Sequence, residues 1–82
     1  MNPSSTNTQF GEALRQARQN LHLSQIQVCD LAGVGPAFLY ELEHGKATVR
    51  MDKVLAVLNV LGLGLELRKS SQSLTVSISQ GK

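Results

Sequence analysis

An all-α bundle of four to five short helices, closed by one C-terminal β-strand, is the fold this sequence predicts. Three observations predict it. Apolar residues recur at three- and four-residue spacing along most of the chain, the period of an amphipathic helix. Glycines at 33 and 45 cut that pattern into helix-length pieces. After Leu61 the period drops to two, which is the strand signature.

The chain has 82 residues, the length of one small domain whose core alone gives modest stability. Its apolar share of 41% suits a packed core, and its charged share of 17% leaves much of the surface to Ser, Gln and Asn. A net charge of +2 permits nucleic-acid binding without announcing it. Arg15, Arg18, Lys46, Arg50 and Lys53 carry most of the positive charge. A single cysteine, Cys29, excludes an internal disulfide and a zinc cluster. It reads as a small buried hydrophobe. The polar opening "MNPSSTNTQ" lacks the apolar run of a secretory signal. The longest apolar stretch, "VLAVLNVLGLGL", is shorter than a bilayer span. A soluble, cytoplasmic protein is expected.

Residues 1–8 read as a flexible polar arm. Phe10, Leu14, Ala17 and Leu21 form the inner face of a first helix, and "NLHL" breaks it. Ser24 has the character of an N-cap for a second helix, whose inner face is Val28, Cys29 and Ala32. Gly33 ends that helix in a left-handed turn and Val34 tucks inward. Pro36 suits the first turn of a third helix, with Leu39 and Leu42 buried and Gly45 as its cap. Thr48 is placed to cap a fourth helix carrying Val54, Leu55, Leu58 and Leu61. Leu63, Leu65 and Leu67 then alternate with Gly64, Glu66 and Arg68 in a strand at 63–69. Residues 70–82 are either a polar tail or a second strand, since Leu74, Val76 and Ile78 also alternate.

Two helices joined by a short glycine turn form a DNA-docking unit. Here the unit carries Gln25, Cys29, Gly33, Val34, Leu39 and Leu42, with Gly45 closing "GVGPAFLYELEHGK". The stretch from Leu14 to Leu67 resembles the Cro/CI-type (Xre) helix-turn-helix family. "LYELEHGKATVRMDKVLAVLNVLGLGLEL" is more narrowly similar to its HipB-type antitoxin branch. The resemblance implies a lambda-repressor-like domain over 9–69 whose terminal strand pairs across a dimer. It implies a homodimeric repressor of its own operon, bound to a palindromic operator in double-stranded DNA beside a HipA-like kinase toxin. It also implies an ion pair between Arg18, late in the first helix, and Glu43, late in the third.

Expected DNA contacts divide by chemistry. The amides at the start of the second helix, after Ser24, face phosphates, and Gln25 stands where the family resemblance implies a residue that contacts the DNA backbone or braces the third helix. Lys46, Thr48 and Arg50 lie just beyond the third helix, placed for flanking phosphates. Ala37 against a thymine methyl, Tyr40, and Glu41 accepting from a cytosine amino group are the base-contact candidates. Gly35 and Pro36 offer no hydrogen-bonding side chain but allow close backbone approach. Sequence reading is therefore expected to be sparse, with DNA shape contributing. Leu63, Leu65 and Leu67 are the expected dimer strand, and a hairpin with residues 74–79 is the alternative.

His22 and His44 are far apart and lack a carboxylate cluster. No phosphate-cradling loop, nucleophile elbow or paired-carboxylate site stands in the chain, so no enzyme, metal or cofactor is expected. Two rivals stay open: a solitary or phage-type repressor without a toxin, and a protein-interaction module of the same fold that binds DNA weakly.

Overall fold

In the computed structural model, which describes residues 6–69 and 74–80, four helices lead into a two-stranded antiparallel ribbon. They are α1 (Thr6–Asn20), α2 (Gln25–Ala32), α3 (Pro36–Glu43) and α4 (Met51–Leu61), followed by β1 (Leu63–Lys69) and β2 (Leu74–Gln80). Leu14, Val28, Leu39, Leu42, Val54, Val57 and Leu58 fill the core where the helices meet. No helix among the described residues is long and apolar enough to cross a membrane.

Helix α1 begins at Thr6, inside the stretch expected as a flexible arm. Its first turn has something to pack on, because Thr8 lies against Gly45 and Asn7 lines a groove with Phe10 and Leu65. One turn later Gly11 is buried. A Cβ there would sit 2.5 Å from the carbonyl oxygens of Leu42 and Glu43, so α1 crosses the end of α3 at a distance only glycine allows. Leu21, expected inside, is half exposed, and Leu23 packs against the core in its place. The helix ends at Asn20 and His22 turns the chain at φ 59°. That reversal carries Leu21 past the core and brings Leu23 back to it.

Local signals set α2 and α3. The Ser24 hydroxyl accepts from Gln27 N–H at 3.0 Å, and Gln27 Oε1 accepts from Ser24 N–H at 2.7 Å. This reciprocal capping box satisfies two amides that the helix cannot. Gly33 ends α2 at φ 72°, where a side chain would be strained. Gly35 is the N-cap of α3 and Pro36 its first residue. The C-cap of α3 is His44, and Gly45 follows one residue outside it at φ 85°.

Helix α4 opens at Met51 with Arg50 as N-cap, so Thr48 stays in the preceding loop. Val49 packs against the core just before it, and Asp52 accepts from Lys53 N–H at 2.9 Å in the first turn. The buried stripe is Val54, Val57, Leu58 and Leu61. Leu55, expected inside, is 49% exposed. It sits about 100° round the helix from Val54, and the stripe is complete without it.

Strand β1 was expected to find its partner in a second copy, but it pairs with β2 of its own chain. The register sets Leu63 opposite Gln80, Leu65 opposite Ile78 and Leu67 opposite Val76. A four-residue link closes this hairpin at little entropic cost, whereas pairing two molecules gives up translational freedom. Leu63, Leu65 and Leu67 lie on one face of β1, since side chains alternate along a strand. Leu63 and Leu65 on that side pack against the core, while Leu67 is 67% exposed.

Candidate nucleic-acid interface

The outward side of α3 follows from what its inward side must do. Leu39, Leu42 and Glu43 are buried. On the opposite side, at helical spacing, stand Ala37, Tyr40, Glu41 and His44, all exposed. Gly35 and Pro36 are exposed at its N-terminus. Phe38, on the flank, is half-buried with the Lys53 ammonium 5.7 Å from its ring centre, a cation–π contact between α3 and α4.

A buried network fixes the pitch of α3. Arg18 Nε donates to Glu43 Oε2 at 2.7 Å and Nη2 to Oε1 at 3.2 Å. Its remaining branch, Nη1, donates to the Leu23 carbonyl at 3.0 Å. Gln25 Nε2 adds a bond to Glu43 Oε1 at 3.0 Å. Glu43 is 5% exposed, so its charge is answered by protein groups alone. The Glu43 carboxylate thus ties α3 to α1 and α2, and Arg18 ties the pair to the turn after α1. The Gln25 side chain serves α3 here, which is the bracing role of its two expected ones.

The cations beyond α3 also have partners. Lys46 Nζ lies 3.0 Å from Glu41 Oε1 with both side chains half exposed, so two expected DNA contacts meet each other. Arg50 Nη2 lies 2.7 Å from Asp52 Oδ2, and this bond holds the Asp52 carboxyl below its usual range. Exposed pairs of this kind contribute little energy and exchange readily for phosphate. Thr48 is exposed in the loop between these pairs. Ser24 spends its hydroxyl on the cap of α2. Cys29 is buried beside the network, and burial, with Asp30 and Glu43, pushes its thiol up.

Three features of this region were not found in the sequence. Gly11 makes the α1–α3 crossing possible; its signal is a glycine in mid-helix. Phe38 is joined to Lys53 across 15 positions, which no local pattern reveals. His44, read as a solvated helix end, stacks on Tyr40 with ring centres 4.0 Å apart.

Residues 9–70 match the family model described as a helix-turn-helix domain. The chain belongs to the helix-turn-helix family, of Xre type. An uncharacterized HTH-type transcriptional regulator of Sinorhizobium fredii, y4mF, is 37% identical over 62 residues, covering 76% of this chain and 82% of the relative. Among solved structures, the restriction-modification controller protein C.AhdI of Aeromonas hydrophila superposes with a TM-score of 0.62 at 28% identity. That match covers 66% of this chain and 82% of the controller. Within this helix-turn-helix chain, α2 and α3 are the two helices of the motif and Gly33 lies in its turn.

Proposed function

We propose that this helix-turn-helix protein is a homodimeric, sequence-specific transcriptional repressor that binds a palindromic operator in double-stranded DNA. The observation that carries the reading is α3 itself: a short helix whose outer side is free and whose inner side is locked by the Arg18–Glu43–Gln25 network. Ala37, Tyr40 and Glu41 are its base-facing residues, and Gly35 and Pro36 let its backbone approach the groove. Lys46, Thr48 and Arg50 take the flanking phosphates, with the amides that follow Ser24 and Gln25 on the other flank. The finer assignment is a HipB-like antitoxin that represses its operon and binds a HipA-like kinase toxin. The y4mF and C.AhdI likenesses support a regulator and are equally compatible with a repressor whose operon encodes no kinase. Co-purification from the native operon separates these two.

Shift assays on duplex DNA from the chain's own upstream region test the DNA reading. Lys46→Ala is expected to weaken operator and random duplex alike and to reduce the salt slope by about one unit. It also unpairs Glu41, so Glu41→Gln in the same background isolates the phosphate term. An unchanged slope in both backgrounds removes Lys46 from the interface.

The dimer is supported by exposed apolar surface. Leu67, on the same β1 face as Leu63 and Leu65, is 67% exposed, and Met51 and Leu55 are 58% and 49% exposed on α4. A two-stranded ribbon also keeps an unpaired edge on each strand, and such ribbons need further cover to be stable. A two-fold dimer sets its recognition helices about 34–36 Å apart, one DNA turn. Leu67→Glu is expected to convert a dimer to a monomer in sedimentation equilibrium at micromolar concentration. Because Leu67 is exposed in the single chain, the helical fold should survive. A variant that sediments like the parent places the interface elsewhere.

A further inference from the structure

On the reading of α3 as the DNA-facing helix, we infer that Glu41 determines specificity by penalising every duplex that does not set a cytosine amino group against it. Glu41 and Lys46 are joined twice. Their side chains pair at 3.0 Å, each about half exposed. Their backbones meet as well: Lys46 N–H donates to the Glu41 carbonyl at 3.0 Å, and Gly45 N–H donates to that of Leu42 at 3.2 Å. These are the two bonds of a left-handed helix stop, and Gly45 at φ 85° supplies its turn. The backbone bond does not depend on the side-chain pair. Glu41 and Lys46 therefore stay neighbours when the Lys46 ammonium leaves the carboxylate for a phosphate.

The carboxylate then stands beside the phosphate that Lys46 has taken, and like charges brought together in this way disfavour the complex. It has also lost its own cation, although an exposed pair is weak. Among the described residues the nearby cations are engaged elsewhere: Arg18 with Glu43, Arg50 with Asp52, and Lys53 over Phe38. Ala37 and Tyr40, on the same side of α3, bring no cation. What can answer the carboxylate is a donor in the major groove. Cytosine presents its N4 amino group there with no acceptor beside it on the same base, adenine sets N7 next to its amino group, and guanine and thymine present acceptors. A cytosine at this place gives Glu41 a charge-assisted hydrogen bond, and other bases leave it repelled. Specificity then arises largely from the affinity that wrong duplexes lose.

Fluorescence anisotropy of the untagged protein tests this with a labelled duplex from the upstream region and a random duplex of equal length. Glu41→Gln is expected to raise affinity for the random duplex about threefold to tenfold at low salt, the effect of removing one exposed like charge. The upstream duplex should gain less or lose affinity, so the preference between the two falls. Glu41→Ala, which removes the acceptor as well, should give the same gain on the random duplex and bind the upstream one more weakly than Glu41→Gln does. Added salt should shrink the gain, because it screens exposed charges. Glu12→Gln is the control: it neutralises an exposed carboxylate of α1, paired with Arg15 at 3.6 Å, and changes net charge equally. It should leave the preference as it is. Thermal melts verify that the variants are folded. If Glu41 is a plain base contact, Glu41→Gln leaves random-duplex affinity unchanged, and that result overturns the penalty while keeping α3 as the DNA-facing helix. Equal gains on both duplexes, or an equal gain from Glu12→Gln, overturn it too. A parent that binds neither duplex, or both alike, overturns the sequence-specific DNA reading itself.

Discussion

Arg18→Ala is expected to cost about 3–5 kcal/mol, the penalty of stranding a buried charge. The Glu43 side chain is 1% exposed and the Arg18 side chain 11%, so water reaches little of the pair. Truncating Arg18 removes both its bonds to the carboxylate and leaves Gln25 as the one described donor to Glu43. It also takes away the donor to the Leu23 carbonyl, which shapes the turn into α2. A small domain has little stability in reserve, so the variant should melt well over ~10 °C lower, at roughly 4–8 °C per kcal/mol for this size. Arg18→Met combined with Glu43→Leu should recover much of the loss, because an apolar pair leaves no unanswered charge. A melting temperature equal to the parent's would make the ion pair a surface contact. DNA affinity is the second readout. The double variant keeps the fold but loses the Gln25–Glu43 bond, so α3 should be less firmly set and binding weaker.

Gly11→Ala is expected to destabilise the protein by about 1–3 kcal/mol or more, the range for forcing extra volume into a packed site. In a free helix the same change stabilises by about 0.5–1 kcal/mol, so the sign of the effect is diagnostic. The added Cβ would stand 2.5 Å from two backbone carbonyl oxygens and 2.8 Å from a carbonyl carbon. No rotamer relieves that, since all three atoms belong to the main chain at the end of α3. The helices must separate at Leu42 and Glu43, and separating them lengthens the bonds from Glu43 to Arg18, two turns further along α1. Chemical denaturation measures the sum. A variant more stable than the parent would mean that α1 and α3 do not approach this closely.

What the sequence by itself determined are features whose causes lie within a few residues. Ser24 and Gln27 cap each other across three positions, Gly33 supplies its own left-handed turn, and Pro36 fixes its own φ at the first turn of α3. Alternation in "LGLELRK" marks β1 because strand geometry is local. The pairing of Arg18 with Glu43 was legible only through the family resemblance, since 25 positions separate them and no spacing rule links them.

The tertiary structure decided which of several chemically equal residues meet. Val57 rather than Leu55 faces the core, and Leu23 rather than Leu21, because the crossing of α4 and the turn at His22 choose between adjacent apolar side chains. Gln25 serves α3, and Lys46 meets Glu41, because those partners lie within reach once α3 is docked. Gly11 is required because two backbones cross there, a fact absent from either helix alone. Strand β1 took β2 of its own chain because both strands carry the same alternating pattern. A period of two says that a strand needs a partner, and chain connectivity says which one is nearest.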